Sequence, residues 1–411
     1  MALTRGPWWG FRGLVPEPPY AGPVHLAARA TADGTPNALA VARAELRAAG
    51  VQVLDLTDSN PTRHGLTHPG VLAAVQRATP LAERYRPDPH GPLAAREALA
   101  ARFGGDADDY FLTASTSEAY GWLLTLLADP GDAVAVPAPG YPLVEPLARL
   151  AAVRTTEHPA IYLHPYGWST DTSELARVAA QDDVRAVVVV NPGNPTGAYV
   201  ADDERAPLLE AARRGGAAVI SDEVFGPFHL DAPAPRTLAG EDGVLTFALD
   251  GLSKLLCAPQ LKLGWIRVSG PRDEVAAATA ALETIADTYL SVGAPVAAAL
   301  PELLGLADEA VAATRDRLRT NLATARALLD DGGWRVRRCD GGWTVLVDVP
   351  RWLPDDELAM HLLRSAHLAV HPGWFYDLPT PGALAVSLLP EPEVFAEGCR
   401  RLRAAVDGLG R

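Results

Sequence analysis

VLTFALDGLSKLLCAPQLKLG, residues 244–264, is the stretch whose reading decides the fold. VLTFALD (Val244 to Asp250) reads as a short buried strand, and GLSK follows as the turn at its C-terminal end. Open α/β sheets present their chemistry at such strand ends. The same stretch holds both lysines of the chain: of 36 basic residues, 34 are arginine and two are Lys254 and Lys262. Arginine stays protonated at any physiological pH, whereas a lysine amine can lose its proton when buried or placed near cations and then add to a carbonyl. Lys254 is therefore a candidate Schiff-base residue. On composition alone, both lysines could equally be ordinary surface charges.

Outward from this strand the chain alternates. Upstream, the readings are a helix from about Ser117, strand AVAVPA, strand VRTTEH, helix SELARVAAQ, strand AVVVVNP, helix ERAPLLEAARRG and strand AAVISDEV; strand KLGWIRVSG follows downstream. Mostly apolar strands alternating with helices predict an α/β fold with a mostly parallel sheet covered on both faces. From about Arg272 a long helical region runs to Asp331, broken near Gly293 and Pro295. WRVRRCDGGWTVLVDVP then reads as a hairpin. Helix DDELAMHLLRSA, strand LAVHPG, strand ALAVSLL and a last helix complete a smaller α+β unit. At the other end, a helical stretch near Ala38 to Ala49 follows an aromatic, Gly/Pro-rich arm containing Trp8, Trp9 and Phe11.

At 411 residues and 48% hydrophobic content the chain is long enough for a large domain plus a smaller one, and to bury a cofactor. A net charge of −14 with no basic run argues against nucleic acid or an anionic membrane as partner. Cys257, Cys339 and Cys399 are odd in number and far apart, with neither disulfide nor metal spacing, which suits a reducing cytoplasm. No apolar run reaches transmembrane length and no signal-peptide core is visible. The expectation is a cytoplasmic protein without a metal site.

Four further stretches lie where an open α/β sheet binds ligands. LTASTSEAY (Leu112 to Tyr120) ends a strand and enters a helix through hydroxyl residues, so free N–H groups with Ser115, Thr116 and Ser117 could seat a phosphate, although Ser/Thr caps begin a great many helices. Tyr141 in PAPGYP could offer a ring face for stacking, or simply pack. NPGNPTG (Asn191 to Gly197) opens a strand into a rigid turn with amide side chains at its top. Asp222, just past the apolar run of ISDEVF, is costly unless a cation meets it. A lysine, an acid, an amide and a phosphate seat together describe a site for an anionic aromatic aldehyde, which is pyridoxal 5′-phosphate.

The ordered set Tyr85 with Gly91, Thr113 to Ala119, Tyr141-Pro142, NPGNPTG, Asp222 and Ser253-Lys254 resembles the class I/II aminotransferases of fold type I, the aspartate aminotransferase superfamily, from about Val51 to the last helix. The resemblance implies a seven-stranded, mostly parallel sheet in a large domain of residues 51–294. It also implies a small domain of residues 295–411 joined by part of the arm-bearing segment 1–50. By the same matching, Lys254 carries the cofactor and shuttles the proton, Asp222 meets the pyridine nitrogen, and Asn194 the phenolic oxygen. Tyr141 stacks on the ring, while Ser115, Thr116, Ser253 and Lys262 belong to the phosphate site. Tyr85 resembles a residue that reaches the phosphate of a neighbouring subunit, which implies a homodimer with shared active sites.

Departures from the family pattern qualify the reaction. Lys262 stands where arginine is usual, Phe225 where a tyrosine usually meets the phenolic oxygen, and Gly251 in place of a phosphate-binding serine. Ala385 takes the place of the arginine that clamps the substrate carboxylate. Either Arg63, in SNPTRHG, replaces that clamp, with a solvated loop charge as its alternative, or the substrate is not held by its carboxylate; Asn60 of the same loop is a further substrate-binding candidate. The expected activity is amino-group transfer from an amino acid or amino-acid conjugate. The alternatives are C–S β-elimination or decarboxylating, oxidative deamination in specialised biosynthesis, with the aromatic arm and Trp374 to Tyr376 lining a pocket for a bulky substrate.

Overall fold

A computed structural model describes residues 25–30, 36–233 and 236–410. The chain divides into two units, Met1–Thr35 and Pro36–Arg411. Of the first, only a short, exposed 3-10 turn, Ala28–Ala30, is described. The Trp8, Trp9 and Phe11 cluster lies outside the described residues.

The second unit carries fourteen strands among its described residues. In chain order they are β1 (Leu54–Asp55), β2 (Tyr110–Thr113), β3 (Ala133–Ala138), β4 (Arg154–Leu163), β5 (Gly167–Thr170), β6 (Val184–Val190) and β7 (Ala218–Asp222), followed by β8 (Thr246–Gly251), β9 (Gly264–Ser269), β10 (Arg335–Val336), β11 (Thr344–Asp348), β12 (Leu368–Ala369), β13 (His371–Pro372) and β14 (Ala383–Ser387). Eight of them form one sheet in the order β2-β9-β8-β7-β6-β3-β4-β5. The central ladders β4–β3–β6–β7–β8 are parallel, while β9 runs antiparallel to both β8 and β2.

The sequence of β6, VRAVVVV, shows why the sheet is covered on both sides. Strand side chains alternate between faces, and here both faces are apolar: Ala186 and Val188 pack in one core, Val187 and Val189 in another. The first core is closed by the helices Thr116–Leu127 and Arg272–Tyr289, through Leu123, Leu124, Leu282 and Ala286. Each fully buried Leu or Val contributes roughly 1.5–3 kcal/mol, which fixes the strand register from both sides.

The sheet has eight strands where seven are expected. β4 runs on to Leu163 and folds back through residues 164–166 into β5, an antiparallel hairpin at the sheet edge. A four-residue strand beginning at Gly167 carries too short a pattern to register by periodicity. A second, four-stranded sheet has the order β10-β11-β14-β13, entirely antiparallel. The stretch read as one strand, LAVHPG, splits: Leu368–Ala369 pairs in parallel with β1, whereas His371–Pro372 joins β14. Likewise β10 and β11 pair as expected, but residues 337–343 form a long connection between them.

Candidate active site

A cavity of about 490 Å³ collects side chains from the ends of the eight-stranded sheet and from β11, β13 and β14. Its most buried charge is Asp222. The strand β7, AVISD, is buried along its whole length, and its last residue has 7% of its surface exposed. Tyr120 donates its hydroxyl to Asp222 Oδ2 at 3.2 Å, and the Val224 N–H donates to Oδ1 at 3.3 Å. Burial pushes the carboxyl up to about 6, against these donors and the charge of Lys254, which pull it back. Another cation would complete the environment.

Lys254 lies on the short helix Leu252–Leu255 that follows β8 directly. Its Nζ sits 5.2 Å from the centre of the Trp343 ring and 5.5 Å from that of Phe225. The two rings pack edge to face, 5.4 Å apart. Burial lowers the amine's proton affinity while Asp222 raises it, and the net direction is down. An amine that gives up its proton more readily is a better nucleophile toward a carbonyl.

Opposite in charge and character is the turn at the end of β2. Ser115 caps the helix Thr116–Leu127, accepting from the Glu118 N–H at 3.2 Å. The Glu118 carboxylate in turn accepts from the Ala114 N–H at 2.6 Å and from the Ser291 hydroxyl at 2.7 Å. Ser115, Thr116 and Ser117 all line the cavity at this helix start, where the dipole favours an anion. Gly264 lets β9 approach closely: a Cβ there would stand 3.3 Å from the Ser115 carbonyl carbon and 3.2 Å from Thr113 Oγ1. Lys262, two residues earlier and exposed, lines this end and has no ion-pair partner among the described residues. Across the β8–β9 ladder Gly251 pairs with Gly264, and a Cβ on Gly251 would lie 3.0 Å from the Gly264 Cα. A side chain on Gly251 would therefore have to displace the facing main chain by a few tenths of an ångström.

The loop after β6 supplies Asn194. Asn191 Oδ1 accepts the Val200 N–H at 3.0 Å, and the Gly193 and Gly197 N–H groups close the turn on Ala198 and Gly193 carbonyls at 2.8 Å. Asn194 lines the cavity, and its amide oxygen is buried without a protein partner. An orphaned buried amide, a buried acid awaiting a cation, a poised amine and a dipole-backed hydroxyl turn fit pyridoxal 5′-phosphate. Ser253 and Phe225 line the same cavity, and Tyr141 stands at its margin, 49% exposed, with its ring 6.3 Å from that of Tyr376.

Three sequence candidates lie elsewhere. Arg63 has a side chain 67% exposed and bonds Asp58 at 3.2 Å, while Asn60 caps Thr62. Neither lines the cavity; Thr57 and Ser59 of the same loop do. Tyr85, 81% exposed, borders a separate groove with Ser291 and Val292. Of the stretch Trp374 to Tyr376, Phe375 and Tyr376 enter the cavity, and Trp374 borders a different surface pocket beside Met360. Conversely, Tyr120, Trp343 and His371 line the cavity without having been singled out. Tyr120 was within reach of sequence reasoning, because it lies four residues past Thr116 and so on the same helix face. Among the described residues no group of acids, histidines or cysteines could hold a metal ion, and no helix is long and apolar enough to cross a membrane.

A family model described as aminotransferase class I and II matches residues 52–402. The chain belongs to that family. As an aminotransferase-family enzyme it depends on pyridoxal 5′-phosphate, and its mixed sheet flanked by helices is the type I fold of such enzymes. It is 27% identical over 400 residues to an alanine aminotransferase of Mycobacterium tuberculosis, covering 89% of this chain and 87% of that one. A tyrosine aminotransferase of Caenorhabditis elegans is 26% identical over 366 residues, covering 86% and 78%. The solved structure of an alanine aminotransferase from Pyrococcus furiosus superposes with a TM-score of 0.84 at 24% identity, covering 93% of this chain and all of the other. The resemblance in fold thus covers nearly the whole of this chain.

Proposed function

We propose that this enzyme transfers the amino group of an amino acid or amino-acid conjugate, with Lys254 as the Schiff-base and proton-moving residue. The observation that carries the reading is one cavity holding both a buried amine with lowered proton affinity, between Trp343 and Phe225, and the buried acid Asp222. Pyridoxal phosphate, when bound, supplies an aldehyde that condenses with amines and a ring that accepts the electrons left when the α-proton departs. Asp222 would hold the proton of the ring nitrogen, and Asn194 the phenolic oxygen. Ser115, Thr116, Ser253 and Lys262 would hold the phosphate, and Tyr141 would stack on the ring. Phe225 contributes its face to Lys254 and offers no hydroxyl, so the phenolic oxygen has one donor fewer. Lys254 Nζ takes the proton from the substrate carbon and returns it on the other side of the exchange.

Relatives named as alanine and tyrosine aminotransferases support amino acids as the substrate class. A second reading is elimination or decarboxylation in biosynthesis, supported by a lining that, among the described residues, contains no arginine. We also infer a homodimer in the cytoplasm, with Tyr85 reaching a neighbouring subunit; its 81% exposure supports this. We likewise infer a large domain of residues 51–294 and a small domain of residues 295–411 with part of residues 1–50. The test is to mix the cofactor-loaded enzyme with an amino-acid panel and 2-oxoglutarate. Conversion of the visible cofactor band to its aminated form, abolished in Lys254→Ala, is expected; release of pyruvate or CO2 with no acceptor would favour the second reading.

A further inference from the structure

The cavity's far wall belongs to the four-stranded sheet, and register leads to it residue by residue. From Lys254 the first contact is Trp343, 5.2 Å from Nζ. Thr344 follows at the start of β11 and pairs with Ser387 on β14; two residues back along β14, Ala385 pairs with His371 on β13. Phe375 and Tyr376 close this wall. The His371 ring lies flat on Phe375, with centroids 4.4 Å apart and planes at 9°, and its Nδ1 is 3.1 Å from the Tyr376 hydroxyl.

Among the described residues, this wall carries no full positive charge. Burial holds the His371 pKa down at about 4, so the ring is neutral at pH 7, with Asp55 and Arg43 as the charges acting on it from β1 and the preceding helix. Those two are paired with each other and lie outside the lining. Among the described lining residues the remaining cations are Lys254 and Lys262. Lys262 belongs to the helix-start end, two residues from the Gly264 that packs on Ser115. Once one lysine serves the aldehyde and the other the phosphate, a substrate carboxylate at this wall would be buried without a counter-ion among the described residues, which is unfavourable.

We propose that the amine substrate reaches this wall with its carboxyl group absent or masked, as in an amino-acid amide. The hydroxyls of Thr344, Ser387 and Tyr376 then bond an uncharged carbonyl, while Trp343, Phe375 and His371 enclose an aryl or alkyl side chain. This substrate class rests on the amino-transfer reading of Lys254 given above.

The experiment compares L-phenylalanine with L-phenylalaninamide on the full-length, cofactor-loaded enzyme. Dissociation constants come from spectral titration and calorimetry, with concentrations expressed as unprotonated amine. The amide is expected to bind at least about tenfold more tightly, a difference of ~1.4 kcal/mol. Equal binding, or tighter binding of the free acid, overturns the proposal. In Ala385→Arg the preference should reverse; if that buried position does not tolerate arginine, as thermal melting would show, the wild-type comparison decides alone. Borohydride reduction followed by peptide mass measurement separates the two levels. No cofactor mass on Lys254 defeats the amino-transfer reading and this proposal with it, whereas a fixed mass with the free acid preferred defeats the substrate class only.

Discussion

Asp222 and Asp250 end neighbouring strands of one sheet, and the two carboxyls have opposite surroundings. Asp222 shares a face with Ile220 and its register partner Leu249, next to Tyr120; Asp250, one residue further along β8, points to the other face. There it borders a second cavity of about 520 Å³ with Trp265, Arg267 and Arg102. Both carboxyls are pushed up by burial. Asp222 has a tyrosine hydroxyl, a backbone N–H and a nearby lysine to favour its charged form, and stays near about 6. For Asp250 the one hydrogen bond is from the N–H of the next residue, Gly251, at 2.6 Å, and the carboxyls of Glu223 and Asp222 add to the upward push. Desolvation pushes both up, so the difference between them comes from the donors and charges converging on each.

The largest effect that can break this contrast is in Asp222→Asn. Cofactor affinity should fall roughly 10²- to 10³-fold, the cost of leaving a buried cation without its acid, measured by titrating the cofactor-free protein. The same variant fixes a pH signature. In the cofactor-free enzyme the folded-state pKa of Asp222, about 6, lies above its ordinary 3.8. Its protonated form therefore stabilises the fold at low pH, and that contribution is lost as pH rises from about 4 through about 6. It amounts to about 3 kcal/mol at most. Thermal melts across that window should slope downward for wild type and lose that slope in the variant.

Asp250→Asn should share the direction of that pH linkage and differ from Asp222→Asn in cofactor affinity. The Asp250 carboxyl pKa is raised in the folded protein, by burial above all, so rising pH favours unfolding. Asparagine removes that linkage, so the variant should gain stability at pH 7 in denaturant melts, a gain that shrinks toward pH 4. Cofactor affinity should stay unchanged. A loss of affinity comparable to that of Asp222→Asn would erase the distinction between the two acids. The smallest effect sharpens it: Tyr120→Phe removes one hydrogen bond to Asp222, about 1 kcal/mol. A several-fold weaker cofactor titration and a further rise of the Asp222 midpoint are expected.

The sequence revealed the parts of the site that stand at the ends of long apolar strands. Lys254, Asp222, Asn194 and the Ser115 turn each follow such a run, and a single stretch of chain is enough to place them at the carboxyl edge of a parallel sheet. Trp343 and His371 were not legible in that way. Their position depends on the pairing of β11 and β13 with β14, and on how that sheet meets Lys254, which no local pattern encodes. Arg63 shows the converse case: its loop supplies Thr57 and Ser59 to the cavity, while the guanidinium itself pairs with Asp58, five residues before it, and does not line the cavity. In the fold, apolar alternation announced β6 and β7, whereas β5 is too short to do so and LAVHPG gave no sign that Ala369 and His371 serve different sheets.

The facing glycines of β8 and β9 set a limit on how this enzyme can be remade. A methyl group at Gly251 or Gly264 would press on main-chain atoms 3.0–3.3 Å away, so the helix-start end of the cavity resists enlargement of any side chain there. The opposite wall ends in Ala385 and Ser387, two of the smallest side chains, at neighbouring points of one strand. Redesign for new substrates therefore has a natural direction: vary β14 and the residues facing it, and leave the glycine pair as found.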